Sequence, residues 1–271
     1  SPACGGTTVL KPDGSAWTCT FDDEFDGTAL DSAKWSAQLT SSSGFTSGPA
    51  WSPVCYFNSP DTIAEQDGYL RLSVIRESAP FYCGTHQTYF STQYAGGSVS
   101  TYSGFTQTYG RFEVRAQLPQ TTARGLQETF WLYPRYLTYG AWPASGEIDF
   151  AELYSQYANL DIPYVHYRYD TTTTAAATNT NTVTAYNCTI DYTAFNTYAV
   201  DWQPGRITIS VNDNPCLVDN YAASGLTSPA PFDQPFMVVL TQALGMGTNA
   251  FDPATTPLPA TTLVDYVRVW S

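Results

Sequence analysis

Polar and apolar residues alternate along much of the chain, and turn residues interrupt the alternation at short intervals. Segment 111–118 reads RFEVRAQL, in which polar and apolar side chains exchange at every position. This period of two is typical of a strand with one face in the core and the other in water. Ten such segments are predicted as strands: 69–76, 97–102, 109–118, 128–133, 146–153, 164–169, 198–202, 206–212, 235–244 and 262–270.

No segment shows a sustained helical period, and no linker divides the chain. Turn sequences such as Gln203-Pro204-Gly205 separate the strand segments, and many short strands with turns between them are typical of a sandwich. We therefore predict an all-β protein with a single domain over residues 1–271. The low-complexity run 171–184, TTTTAAATNTNTVT, is interpreted as a surface loop or an edge strand rather than a linker.

The composition restricts the partners. Only 13% of the 271 residues are charged and 15% are aromatic, and 24 acidic residues against 11 basic ones give a net charge of −13. A chain this acidic is repelled by nucleic acids and by anionic membranes, so neither is expected as a partner. No apolar run approaches the roughly 20 residues of a membrane span. We expect a monomer that binds a neutral substrate.

The six cysteines indicate disulfides rather than a metal site, because no two of them form a CxxC pair. Their order suggests Cys4 with Cys19, Cys55 with Cys83 and Cys188 with Cys216, although six cysteines allow fifteen connectivities. The first pairing would close residues 1–19 as an N-terminal extension. Disulfides imply an oxidising, extracellular setting, and the start Ser1-Pro2-Ala3 fits a secreted protein whose signal peptide has been removed.

Three carboxylates lie within six residues, in the segment GEIDFAE at 146–152. On a regular strand Glu147 and Asp149 share one face, and Ile148 and Phe150 share the other. Glu152 falls on the wrong face unless one extra residue forms a β-bulge. We therefore predict a bulge in this strand.

Two carboxyl groups on one face can hydrolyse a glycosidic bond, one as the acid and the other as the nucleophile or base. We assign Glu147 as nucleophile, Glu152 as acid/base and Asp149 as the partner that orients Glu147. The spacing leaves open whether the configuration is retained or inverted. A solvated strand face or a Ca²⁺ site is the alternative interpretation of these acids.

The sequence around these acids resembles glycoside hydrolase family 16, whose bulged members carry the pattern E-x-D-x-x-E found at 147–152. Further segments similar to the family follow in family order: 21–27 (FDDEFDG) with Trp35, 65–74, 109–115 (YGRFEVR), 130–132 (FWL) and 264–269 (VDYVRV). The resemblance implies a concanavalin-like β-sandwich jelly roll of two curved antiparallel sheets, with a substrate cleft on the concave face and a retaining mechanism.

Within the family, the bulged spacing with an upstream Trp142-Pro143 resembles laminarinases, which are endo-acting enzymes on β-1,3-glucan. Mixed-linkage glucan, agarose or a galactan is the alternative substrate, and a glucan-binding lectin on the same fold is the alternative function. One departure lies at 125–131, GLQETFW, where laminarinases commonly read G-x-W-P-A-F-W. The difference removes a tryptophan and adds Glu128.

Other residues are predicted to line the cleft. Trp142, Trp131 and Trp51 are candidate platforms, since an aromatic face covers the C–H side of a sugar ring. His166 is expected to hydrogen-bond the acid/base or the sugar, and Gln242 to face either the cleft or the sheet interior. No cofactor is expected for catalysis. The resemblance also implies a structural Ca²⁺ held by Glu24, the carbonyl of Gly68 and Asp265.

Overall fold

The chain folds into two β-sheets that pack face to face. The computed structural model describes residues 3–168, 176–179 and 182–271, the side chains of 176–179 excepted. Within the described residues, helical structure is limited to single turns: Ala3–Gly6, Thr40–Ser43, Ser155–Tyr157 and Gly247–Asn249. The all-β prediction is confirmed.

One sheet, the back sheet, has ten strands. In spatial order, eight of them are β18 (Asn214–Asp219), β17 (Arg206–Val211), β16 (Asn196–Gln203), β8 (Gly110–Gln117), β20 (Ala260–Trp270), β5 (Tyr69–Gly84), β6 (Tyr89–Gly96) and β3 (Val54–Tyr56). In addition, β1 (Cys19–Asp23) pairs with β20, and β4 (Ile63–Gln66) pairs with β5. All these pairings are antiparallel except that of β3 with β6.

The second sheet, the front sheet, also has ten strands. In spatial order, eight are β13 (Ala176–Asn179), β14 (Thr182–Thr184), β12 (Tyr164–His166), β10 (Glu147–Tyr154), β9 (Leu126–Pro134), β19 (Phe236–Leu244), β7 (Ser98–Ser100) and β2 (Ser36–Ala37). Strand β11 (Leu160–Asp161) pairs with β10 and with β15 (Cys188–Thr189).

The core lies between the sheets and follows from the alternation in the sequence. On β9, every second residue from Leu126 to Pro134 is buried, while the residues between them are half-buried on the other face. Phe130 of β9 therefore packs in the same cluster as Val114 of β8 and Val200 of β16. Burying a side chain of this size contributes roughly 1.5–3 kcal/mol to stability. The apolar face of the front sheet therefore packs on the back sheet, and the opposite face of the front sheet remains open.

The ten predicted strands all overlap observed ones, and the errors are strand boundaries and strands that were not predicted. The strand predicted at 164–169 extends too far, since β12 ends at His166, and residue 169 lies outside the described residues. The edge-strand interpretation is confirmed for 176–179, because β13 is the edge of the front sheet; residues 171–175, 180 and 181 lie outside the described residues. The strands that were not predicted are β1, β2, β3, β4, β6, β11, β15 and β18.

All six cysteines are in the disulfides that their order suggested. The pairs are Cys4–Cys19, Cys55–Cys83 and Cys188–Cys216. The first closes the N-terminal segment onto β1, the second joins β3 to β5, and the third joins β15 to β18. Among the residues described, no helix has the length and apolar character needed to cross a membrane.

Candidate active site

The predicted bulge is present in β10, at the centre of the front sheet. Asp149 pairs with Trp131 of β9, but the next pair along is Ala151 with Phe130, so Phe150 is an extra residue on β10. Both Phe150 and Ala151 are buried in the core. The extra residue returns Glu152 to the open face, where it is half-buried beside Glu147 and Asp149.

A glycine fixes the start of this strand. Gly146 has φ +84°, a left-handed conformation that glycine adopts at little cost. A side chain there would also collide with the core, since a Cβ atom on Gly146 would lie 2.6 Å from the ring of Phe232. The chain can therefore enter β10 against the core and present Glu147 as the first residue of the open face.

The acids form a connected group with His166. Nε2 of His166 lies 3.0 Å from Oδ2 of Asp149 and 3.7 Å from Oε2 of Glu147. Register explains the contact, because Glu147 pairs directly with His166 across β10 and β12. The sequence predicted a hydrogen bond from His166 to the acid/base or to the sugar. In the structure Nε2 of His166 contacts Asp149 and Glu147 rather than Glu152, and the bond to the sugar stays a prediction.

Glu152 has separate partners. Nε2 of Gln127 donates a hydrogen bond of 2.7 Å to Oε1 of Glu152, and the hydroxyl of Tyr154 also hydrogen-bonds this carboxyl group. Both partners share the face of Glu152, Tyr154 two residues along β10 and Gln127 directly opposite Tyr154 on β9. The two glutamates are therefore held by different groups, Glu147 on the His166 side and Glu152 on the Gln127 side.

The pKa values of all three acids are raised. Burial raises the pKa of Glu152 to about 8, and the charges of Glu147 and Asp161 add to that effect against the Tyr154 hydrogen bond. Burial also raises the pKa of Glu147 well above its ordinary value, with a further increase from Asp149 and an opposing effect of His166. Burial and the charge of Glu152 raise the pKa of Asp149. Like charges this close resist simultaneous ionisation, so at least one of the three acids keeps its proton at neutral pH.

Asp161 holds the backbone of the bulged strand at Glu152. Its Oδ1 accepts the Glu152 backbone N–H at 3.0 Å, and the N–H of Ile162 donates to the Glu152 carbonyl at 2.9 Å. Asp161 is fully buried. Its side chain thus supplies an acceptor where the bulge interrupts regular pairing.

Replacing Asp161 with alanine is expected to lower the free energy of unfolding by about 1–3 kcal/mol, because the Glu152 N–H loses its buried acceptor. Asp161→Asn keeps an oxygen at that position and is the matched control, expected to be clearly the more stable of the two. Urea unfolding followed by tryptophan fluorescence measures both. Equal stability of the two variants would show that this bond contributes nothing.

Two of the three tryptophans predicted to line the cleft, Trp131 and Trp142, lie beside the acids. Trp131 lines a cavity of ≈ 180 Å³ together with the three acids and Phe45, and its Nε1 donates to Oγ1 of Thr241 at 3.1 Å. Trp142 is 49% exposed, and its ring centroid lies 5.3 Å from that of His166. The acid site therefore has an exposed aromatic surface beside the carboxylates.

The structure places Trp51 and Gln242 outside the acid cavity, and for Gln242 this is the sheet interior, one of its two predicted locations. Trp51 stacks on Phe251 with ring centroids 6.1 Å apart, in a depression lined by none of the acids. Gln242 is fully buried between the sheets, because β19 presents Thr241 and Ala243 to the acid site and so turns Gln242 to the core side.

On the core side of β19, Gln242 belongs to a buried cluster of polar side chains. The cluster includes Glu128, the acid that distinguishes segment 125–131 from laminarinases. Nε2 of Gln242 donates to Oε2 of Glu128 at 2.6 Å, and Thr262 donates to Oε1 of Gln242 at 2.6 Å. Burial raises the pKa of Glu128 to about 8. The extra acid of this chain thus lies beneath the site, and its neighbours on β9, Gln127 and Thr129, line the cavity.

Two sets of residues bear on metal binding. Ligand atoms of Glu147, Asp149 and His166 lie within 4.8 Å of one another and could hold a cation. The predicted calcium ligands are arranged differently. Glu24 accepts from Arg268 at 2.6 Å, and Asp265 accepts from Arg115 at 2.6 Å. Because each carboxylate is already paired with a guanidinium, this arrangement does not fit Ca²⁺, which takes six to eight oxygens.

Excess chelator is therefore expected to leave the melting temperature unchanged. The arginines compensate the charges of Glu24 and Asp265 without an ion, so removing Ca²⁺ should remove no stabilising interaction. Differential scanning fluorimetry with EDTA, and with EDTA followed by excess CaCl₂, measures the effect. A fall with EDTA that calcium alone reverses would restore the calcium site.

Several residues of the site were not predicted. Gln127, Thr129, Tyr154, Thr241 and Asp161 contact or line the acid group. Alternation could have identified Thr129 and Tyr154, since each is two residues from a predicted site residue on the same strand. Asp161 lies in a strand of only two residues, and no pattern in the sequence indicates it.

The fold and the acid group together define a β-sandwich with a carboxylate site of the kind that cleaves glycosidic bonds. The chain belongs to glycosyl hydrolases family 16, whose family model matches residues 58–258. The laminarinase from Rhodothermus marinus superimposes with a TM-score of 0.75 at 28% identity, covering 94% of this chain and 97% of that one. The predicted jelly roll of two curved sheets is thereby confirmed.

Two sequence relatives differ in what they cleave. An alignment of 270 positions that covers 92% of this chain gives 30% identity to glucan endo-1,3-beta-glucosidase A1 from Niallia circulans. An alignment of 251 positions that covers 87% of this chain gives 33% identity to keratan-sulfate endo-1,4-beta-galactosidase from Sphingobacterium multivorum. The chain spans 37% and 54% of the lengths of these relatives.

Proposed function

We propose that the protein is a secreted, endo-acting, retaining glycoside hydrolase that cleaves β-1,3-glucan. The observation that carries the proposal is the bulge at Phe150, which brings Glu147, Asp149 and Glu152 to one face. Two glutamates with separate hydrogen-bonding partners can take the two different roles that glycoside hydrolysis requires.

In the first step, the ionised Glu147 attacks the anomeric carbon and forms a glycosyl ester, while the bond to the leaving oxygen breaks. Glu152 gives its proton to that oxygen. A pKa raised to about 8 keeps Glu152 protonated at neutral pH. His166 lies 3.7 Å from Glu147 and lowers the pKa of this carboxyl group against the larger increase from burial.

In the second step, Glu152 is ionised and takes a proton from water. The resulting hydroxide equivalent attacks the anomeric carbon, and the ester bond to Glu147 breaks. Two inversions at the same carbon give net retention. Asp149 forms a hydrogen bond of 3.0 Å with His166. It also hydrogen-bonds Glu147, which orients the Glu147 carboxyl group in both steps and raises the pKa of Glu147.

The substrate assignment rests on charge and on the relatives. Of the three similar proteins, one is named a glucan endo-1,3-beta-glucosidase and one a laminarinase, and the third is named for the sulfated polymer keratan sulfate. In this chain the acid cavity is lined by three carboxylates and by no arginine or lysine among the described residues. A sulfated polymer would meet repulsion there, whereas a neutral glucan would not.

Secretion is supported by the three disulfides, which persist in oxidising compartments. A lectin on this fold is the second candidate. The acids argue against a lectin, because three carboxyl groups with raised pKa values are costly to bury and bring a binding module no benefit.

Incubation with laminarin, curdlan, lichenan and agarose is expected to release oligosaccharides of several sizes from laminarin and curdlan, and none from agarose. Size-exclusion chromatography of early products tests endo action, which predicts a rapid fall in mean polymer length. Products from agarose alone would overturn the substrate assignment. Binding of laminarin without any release of reducing ends would favour the lectin.

A further inference from the structure

A second cavity in the described part of the chain lies outside the acid site. It has a volume of ≈ 760 Å³ and lies between segment 55–58, the second half of β5 at 77–84, and Tyr89 of β6. None of the residues that line the acid cavity lines this one. The proposed reaction leaves this cavity without a role.

The walls of this cavity are built into the back sheet. Between the pairs Arg76–Tyr94 and Phe81–Thr92, β5 advances five residues while β6 advances two, so three extra residues of β5 bulge outwards. The disulfide Cys55–Cys83 then ties β3 to the far end of β5, with Cα atoms 6.0 Å apart. The cavity is therefore preformed by a bulge on one side and a covalent link on the other.

Exposed aromatic rings concentrate at this cavity. Tyr82 is 83% exposed, Tyr89 61% and Phe57 49%, and all three line it. Trp51, 63% exposed, lies in the neighbouring depression, which shares Pro80 with the cavity. A soluble protein gains little from leaving so many rings in water unless a ligand covers them.

The polar residues of the cavity suit a neutral, hydroxyl-rich ligand. Asn58 and Ser41 are exposed there. Among the residues that the structure describes, Glu77 is the one charged residue that lines this cavity. Aromatic faces with a few amide, hydroxyl and carboxylate groups match the apolar C–H face and the hydroxyls of a pyranose ring. The net charge of −13 opposes an anionic ligand.

The cavity adjoins the acid site through one residue. Tyr56 lines the cavity, and its ring stacks on Phe45 of the acid site with centroids 5.2 Å apart. The hydroxyl of Tyr56 also lies 2.6 Å from that of Ser47, which lines the acid site.

We propose that this cavity is a second, non-catalytic binding site for β-glucan chains. Tyr82 and Tyr89 provide the ring platforms, and Trp51 extends them. The identity of the polymer rests on the proposed function. The site would hold the enzyme on an insoluble glucan while the acid site cleaves, and short oligosaccharides would not need it.

The test compares the wild type with Tyr82→Ala/Tyr89→Ala and with Ala79→Arg, which adds a long side chain at the exposed rim of the cavity. Tyr136→Ala is the matched control, since Tyr136 is 60% exposed and lines neither cavity. Adsorption to curdlan is measured in the Glu152→Gln background, and rates in the active protein are measured on curdlan and on laminaripentaose.

Both cavity variants are expected to lose at least about five-fold in curdlan adsorption and initial rate, with kcat/KM on laminaripentaose changed less than about two-fold. Unchanged adsorption, or an equal loss on both substrates, overturns the second site. A concentration-dependent dimer that the cavity variants abolish would assign the surface to a second copy instead. A wild type that adsorbs to curdlan but cleaves no glucan contradicts only the proposed function.

Discussion

Replacing Glu147 with alanine is expected to lower kcat/KM on laminarin by about 10⁴-fold or more, because the group that forms the bond to the anomeric carbon is lost. The loss should fall on kcat rather than on KM. Glu147 is the first residue of β10 and pairs with His166 of β12, and its removal leaves Trp131, which is held by Thr241, in place. Initial rates from reducing-end release measure the effect.

Azide provides the control for this variant. A small anion can enter the space left by the Glu147 side chain and attack the anomeric carbon of an activated aryl glucoside. One inversion then gives the α-glycosyl azide, which NMR distinguishes from the β-anomer. Circular dichroism checks that the variant is folded. Turnover near the wild-type level without azide, or a β-azide product, would contradict the assignment of Glu147 as nucleophile.

Much of the site could be predicted because the local sequence has to satisfy two constraints at once. The apolar residues of 146–153 must face the core, and the alternation then leaves Glu152 on the wrong face. A bulge is the local solution, and it occurs at Phe150. Alternation also fixes the side of the sheet that Trp131 occupies, since β9 alternates between buried and half-buried positions and Trp131 is half-buried.

Other residues could not be predicted because their surroundings give no such alternation. All nine residues of β19 are buried, on both faces of the sheet, so the sequence around Gln242 does not distinguish the core side from the open side. Trp51 lies in an irregular segment before β3, where no period applies. The short strands β11 and β15 are defined by pairing with distant residues rather than by their own sequence.

The acids also show why composition alone cannot separate catalytic from structural carboxyl groups. Glu128 and Glu152 are both glutamates of the front sheet whose pKa burial raises to about 8. They differ in the face of the sheet that each occupies. Glu128 lies between the sheets against Gln242, whereas Glu152 lies in the acid cavity against Gln127. Only the second can reach a substrate.

Replacing Glu152 with glutamine is expected to reduce kcat on laminarin by about 10³-fold, because the leaving oxygen then receives no proton. The wild-type rate should also fall as the pH rises through about 8, since the pKa of Glu152 is raised to about 8 and the acid is protonated below that pH. The variant should lack this alkaline decline. Profiles of kcat/KM between pH 5 and 10 measure both effects.

Glu128→Gln is the matched control for this experiment. It removes a glutamate with a similarly raised pKa from the next strand, yet that side chain faces the core, so the alkaline decline should remain near pH 8. An activated aryl glucoside gives a second check, because its leaving group needs little protonation and Glu152→Gln should lose far less activity on it. The opposite result would be loss of the alkaline decline in Glu128→Gln and its persistence in Glu152→Gln. That result would reverse the assignment of the acid, because the proton would then come from the core side of the sheet.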